Sequence, residues 1–215
     1  MAPNPCSLAR SLAEDIHRLE QALAFIHDEA VPELVLALSC FGEAQALPQD
    51  EITQVLEDDT ADVLLVAFSW RLLLPAPSPR SSMAWEELAP DMRTSTVWKQ
   101  PAVIGRLVRA ACTTGSWLPR QVLPQCSSIL PNEPERIESF LDYARQYAPG
   151  CEISANLLRA ALREAGIHAD LERLIIDFKA AGVLSPKLSS LSDTARHASP
   201  LYEINPAVFI HSQSR

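Results

Sequence analysis

The chain has 215 residues, 47% of them hydrophobic and 21% charged, with a formal net charge of −9. That length accommodates one body of two small modules, and that composition excludes a disordered chain, which could not be so apolar. The charge is uneven: residues 1–95 carry 5 basic and 16 acidic side chains, 96–150 carry 6 and 4, and 151–215 carry 7 and 7, so the N-terminal half repels a phosphate backbone.

Met1 to Leu19 holds no continuous apolar stretch and contains Glu14 and Asp15, so no secretory or organellar leader is expected. Leu8, Leu12, Ile16, Leu19, Leu23 and Ile26 follow at gaps of four and three, which predicts one amphipathic helix over Ser7 to His27. Residues 1–30 are read as that element. It is expected to pack on the body, although a near-heptad stripe could also meet a second copy of itself. Pro32 opens a second helix, Glu33 to Phe41, and Gly42 suits its end. Gln49 to Glu57 is a third, and Thr60 can cap a fourth from Ala61 to about Ser69. Val63 to Leu74 is the most apolar run, but Ser69 and Arg71 interrupt it and it is too short to cross a bilayer. Pro75-Ala76-Pro77-Ser78-Pro79 must be loop. Residues 96–134 form a helical connector, with helices from Pro101 to Cys112 and near Leu118 to Cys126, and Ser127 to Pro134 is the natural boundary.

Pro134 then opens a helix through Tyr147, stopped by Pro149-Gly150, and Cys151-Glu152-Ile153 is a short extended piece. Ser154 caps a helix to Ala165, Gly166 ends it, and Asp170 lies in the first turn of another that Gly182 stops. Val183 to Leu188 and Leu201 to Asn205 suit strands, with a polar loop between them. This order of helix, strand, helix, tight turn, helix, strand, wing, strand resembles the winged-helix superfamily, over roughly residues 135–210 of the module 135–215. Asp50 to Val63 also echoes Asn156 to Leu171. With Arg71–Leu74 and Trp85–Leu88 as candidate wing strands, this suggests a diverged first winged helix at 31–95. The fold expected is mainly α with small β-ribbons: a winged-helix C-terminal domain with a long N-terminal helix, the first half being either a second, tandem winged helix or a helical unit of another kind.

Signals for catalysis are absent. There is no phosphate-binding glycine loop, no G-x-S-x-G and no H-E-x-x-H, and the five cysteines form no C-x-x-C pair. Cys40 reads as an inert thiol in an apolar helix, His17 and His27 as part of a solvated face, and Asp58-Asp59 and Glu86-Glu87 as surface charge. Trp70, Trp85, Trp98 and Trp117 have no interleaved basic residues, so core or interface anchoring is expected rather than base stacking. No cofactor, metal, membrane or small-molecule substrate is expected, and a reducing cytosol is the expected compartment.

The resemblance implies two uses. A winged helix that reads DNA sets its third helix in the major groove and its wing on phosphate, which singles out Arg173, Lys179, Lys187, Arg196 and His197 as contact candidates. Asp170, Glu172 and Asp177 outweigh Arg173 and Lys179 on that helix, and it has no Asn or Gln. The leading expectation is therefore a non-catalytic adaptor or regulatory subunit working through a protein partner or self-association. A DNA-binding transcriptional regulator is the alternative, and an enzyme ranks last.

Overall fold

A computed structural model describes residues 5–42, 44–76, 84–88, 96–187 and 199–210, with side chains from Ala13 onward except that of Glu86. The fold is mainly helical with two small antiparallel sheets. Helix α1 (Pro5–Ala22) stops short of His27. Its exit tightens into three-residue hydrogen bonds, Ala24 N to Gln21 O and Ile26 N to Leu23 O, which turn Leu23 and Ile26 into the interior. The apolar stripe packs on α2 (Val31–Phe41) and α5 (Ala102–Thr114) of the same chain.

The first half continues through β1 (Ala46–Pro48), α3 (Gln49–Leu56), α4 (Thr60–Ser69), β2 (Leu74–Pro75) and β3 (Val97–Lys99). After α5 and α6 (Pro119–Val122), the second half runs through α7 (Pro134–Tyr147), β4 (Glu152–Ser154), α8 (Ala155–Glu164), α9 (Leu171–Ala181), β5 (Leu184–Pro186) and β6 (Leu201–Ile204). Both halves thus read helix, strand, helix, helix, strand, strand. Both sheets put the last strand in the middle, in the orders β1-β3-β2 and β4-β6-β5.

Three local expectations need correction. Trp85–Leu88 is not a strand: Trp85–Glu87 is a 3-10 turn, with the Trp85 side chain buried and the Trp85 backbone N–H donated to Ser185 Oγ in the other half. Its amide is therefore spent on the interface. The third strand is β3, past residue 95, where Trp98 is wholly buried and donates from Nε1 to Gln49 Oε1. The segment Arg71–Leu74 is strand only from Leu74, because Arg71 adopts φ +53° and turns the chain. Thr60 caps nothing; it lies inside α4 and its hydroxyl donates to Glu57 O. Caps do hold the second half, where Ser154 Oγ accepts from Leu157 N and Asp170 Oδ1 accepts from Glu172 N and Arg173 N. Pro77 to Pro79 of the proline loop, and Leu188 to Ala198 of the expected wing, lie outside the described residues.

Matching hydrogen bonds set the correspondence between the halves. After α4, Arg71 N bonds Phe68 O and Leu72 N bonds Ala67 O. After α9, Gly182 N bonds Lys179 O and Val183 N bonds Phe178 O. Arg71 therefore stands where the second half has Gly182, both with left-handed φ. Counting back, Val63 corresponds to Leu174, whereas the sequence echo had paired it with Leu171. Both are fully buried.

The two halves share one hydrophobic core. At their seam the wholly buried Asn205 donates from Nδ2 to Arg71 O and to Gly182 O, each at 3.1 Å. One amide thus ties together the two corresponding turns. Gly182 lies so close to Pro101 that a Cβ there would stand 2.5 Å from the proline ring. Arg71 reaches across the seam to Glu203, its Nη2 and Nε at 2.8 and 2.9 Å from Oε1, while its guanidinium lies over Phe68. Phe25 packs on Trp70 and Trp117, and Trp117 Nε1 donates to Ala207 O.

Candidate functional site

The third helix of each half, α4 or α9, exposes a large aliphatic side chain, Leu65 or Ile176. Helix α9 turns Leu174 and Phe178 inward and exposes Glu172, Arg173, Ile176, Lys179 and Ala180. Ile176 is 60% exposed, well above the other large apolar side chains. Arg173 is neutralised by Asp177, with Nε 3.1 Å from Oδ1. Asp177 is itself held by the Ser127 hydroxyl at 2.7 Å, which fixes the acid end of the pair.

Lys179, six residues beyond Arg173, is exposed. Lys187 is ion-paired with Glu152 of β4, across the sheet. Arg196 and His197 lie outside the described residues. Of the five contact candidates, then, only Arg173 and Lys179 share an element, and two of the three described cations face a carboxylate.

Helix α4 is different in chemistry. Its residues Thr60–Ser69 include no Arg, Lys, Asn or Gln. Leu65, 46% exposed, corresponds to Ile176, and Asp62 corresponds to Arg173. The Glu57–Asp59 turn delivers three acids to the start of α4, where the helix dipole favours them. Across from it stand Asp28, Glu29 and Glu33, from the turn into α2 and its first turn. Asp28 Oδ1 accepts from Ala30 N and so shapes that turn. Between the two lies an open groove of about 570 Å³, walled by Asp59, Asp62 and Leu65 on one side and by Asp28, Glu29 and Glu33 on the other. None of these five carboxylates makes an ion pair among the described residues.

Reactive groups are poorly placed for chemistry. Burial raises the thiol pKa of Cys40, Cys112, Cys126 and Cys151 above its ordinary value, with Glu203 adding to the effect at Cys151. Cys40 Sγ donates to Leu36 O within its own helix. His17 is exposed, bonded to Gln21 and near Glu20. A second cavity, lined by Phe140, Phe178, Leu158 and neighbours, has room for about 10 Å³ and is a packing defect. Among the described residues no helix is long and apolar enough to cross a membrane.

Sequence reasoning missed Arg71, Glu203 and Asn205, and it treated Asp59 as plain surface charge. The signal for Arg71 is its place against Gly182, which the echo of Asp50 to Val63 in Asn156 to Leu171 hides by running three residues out of step at the third helix.

A family model matches residues 19–213, a span that takes in both sheets and the seam between them. The chain belongs to that family. The family is one of unknown function, so membership adds no activity. No curated protein and no solved structure matches the chain.

Proposed function

We propose that the protein is a non-catalytic adaptor or regulatory subunit, built of tandem winged helices and acting through protein–protein contact. The element order and the central last strand of each sheet support the tandem winged-helix reading. The observation that carries the function is the matched pair Leu65 and Ile176. Each third helix exposes an aliphatic side chain at the corresponding position, where a reader of the major groove would offer hydrogen-bonding or cationic groups to base edges. Aliphatic side chains held up to solvent on rigid helices suit a protein surface, which can cover them. The charge agrees, because α4 has no cation and the Arg173 charge on α9 is already matched by Asp177.

The test has two arms. Fluorescence anisotropy with generic duplex DNA at about 50 mM salt is expected to show no binding that fades steeply with added salt. The tagged protein is expected to retain a defined partner or self-associate, and Ile176→Asp to weaken that association by about tenfold or more. Salt-sensitive DNA binding that falls on Lys187→Ala plus Arg196→Ala would replace this reading with a DNA-binding regulator. A protein that stays monomeric and partnerless would remove it.

A further inference from the structure

We infer that the groove between α4 and the start of α2 is a docking site for a Lys/Arg-bearing amphipathic segment of a partner protein, an inference that rests on the adaptor reading. Three observations converge on that occupant. The groove, about 570 Å³, is open to solvent and large enough to take several side chains. Its carboxylates come from two separate elements, so positive charge entering between them meets acid on both sides. Asp28, Glu29, Glu33, Asp59 and Asp62 have no cationic partner among the described residues.

Leu65 supplies the third. It lines the same groove, nearly half exposed, one turn beyond Asp62 on α4, and the buried Val63 and half-buried Val66 lie beside it. A bare cation would leave this aliphatic wall wet. A nucleic acid would be repelled, since residues 1–95 carry 16 acidic side chains against 5 basic ones. A segment with Lys or Arg flanking a Leu-like anchor satisfies both features at once, with charge complementarity setting orientation and encounter rate and the anchor covering Leu65. The acids at the start of α4 also favour the helix itself.

The probe is a labelled helical peptide of Leu and Lys, with Leu at three- and four-residue gaps, and a counterpart with Glu for Lys. The full chain is expected to bind the Lys peptide with an affinity that falls as salt rises, and not to bind the Glu peptide. The triple variant Glu33→Gln, Asp59→Asn, Asp62→Asn is expected to bind about tenfold or more weakly. Glu51→Gln, Glu135→Gln, Glu164→Gln removes the same formal charge elsewhere and is expected to change affinity by less than about threefold. Leu65→Ser, at an exposed position that the fold does not need, is expected to weaken binding several-fold with the salt dependence unchanged.

Equal loss in both triple variants would mean bulk attraction and overturn the docking site. So would full affinity in the groove variant, or displacement of the peptide by millimolar calcium that leaves Leu65→Ser without effect. A dimer in sedimentation that only the groove variant abolishes would assign the groove to a second copy instead. The peptide titration reads the groove directly. If a partner captured by the wild-type protein is still captured by the groove variant but lost on Ile176→Asp, the docking site fails while the adaptor reading stands.

Discussion

Asn205 is fully buried and uses both ends of its amide: Nδ2 donates to Arg71 O and Gly182 O, and Oδ1 accepts from Ala207 N. Asn205→Ala would leave two carbonyls and an amide unpaired in the interior. The expected loss is about 3 kcal/mol of stability in urea denaturation, and a loss near zero would mean that the seam is not held there. Arg71 separates backbone from side chain. Its left-handed φ costs about 1 kcal/mol relative to glycine, yet the guanidinium bridges to Glu203. Arg71→Gly and Arg71→Ala both lose the bridge, but only glycine relieves the backbone. The expected order of stability is wild type, then Arg71→Gly, then Arg71→Ala, with about 1 kcal/mol between the last two. The thiols make a chemical prediction. Because burial raises their pKa values, the thiolate is scarce at neutral pH. Alkylation of Cys40, Cys112, Cys126 and Cys151 by iodoacetamide should be slow at pH 7 and accelerate about tenfold per pH unit to beyond pH 9.

The helices of the second half were readable because their ends are written in local chemistry. Pro134 starts α7 and Tyr147 ends it as the spacing predicts. Ser154 caps α8, Asp170 caps α9 and Gly182 stops α9 with left-handed φ. Ser154→Ala and Asp170→Ala should each cost about 1 kcal/mol in thermal melts, whereas in the first half Thr60→Ala removes only a bond to Glu57 O. The strands were less readable. β3 is three residues long and is recognisable only by its partners on both edges, Ala46–Pro48 and Leu74–Pro75. No periodicity fits into three residues, so local sequence favours Trp85–Leu88 over Val97–Lys99 as a strand. The acid that occupies Arg173 is legible, because Asp177 lies four residues on along the same helix, whereas Glu152, which occupies Lys187 from 35 positions away, is not. The acids of the groove were visible as composition, while their convergence across two elements was not.

As a whole, the molecule couples its halves through α5, which packs on both α1 and α9, and through the Arg71, Asn205 and Trp117 contacts. Fragment 135–215 lacks Trp117, which bonds Ala207 O, and Arg71, which pairs with Glu203. It also lacks Leu123, buried beside Phe140 and Phe178. Calorimetry of that fragment should therefore show a melt less stable than the full chain by about 3 kcal/mol or more, and the full chain should melt in one transition. An unshifted fragment would mean that the seam is mere contact between independent modules.

Periodicity, capping residues and helix-ending glycines, which act over one or two turns, were enough to set the helices and their order, while the repeat of that order in two halves shows in sequence only as an echo whose strands and register the structure corrects. Charge balance, which needs no coordinates, was enough to make the N-terminal half acidic. Contacts between residues far apart in the chain decided the rest: Arg71 meets Glu203 from 132 positions away, and the groove forms only when α2 and α4 pack. Such pairings depend on where whole elements come to rest, and no local pattern encodes that.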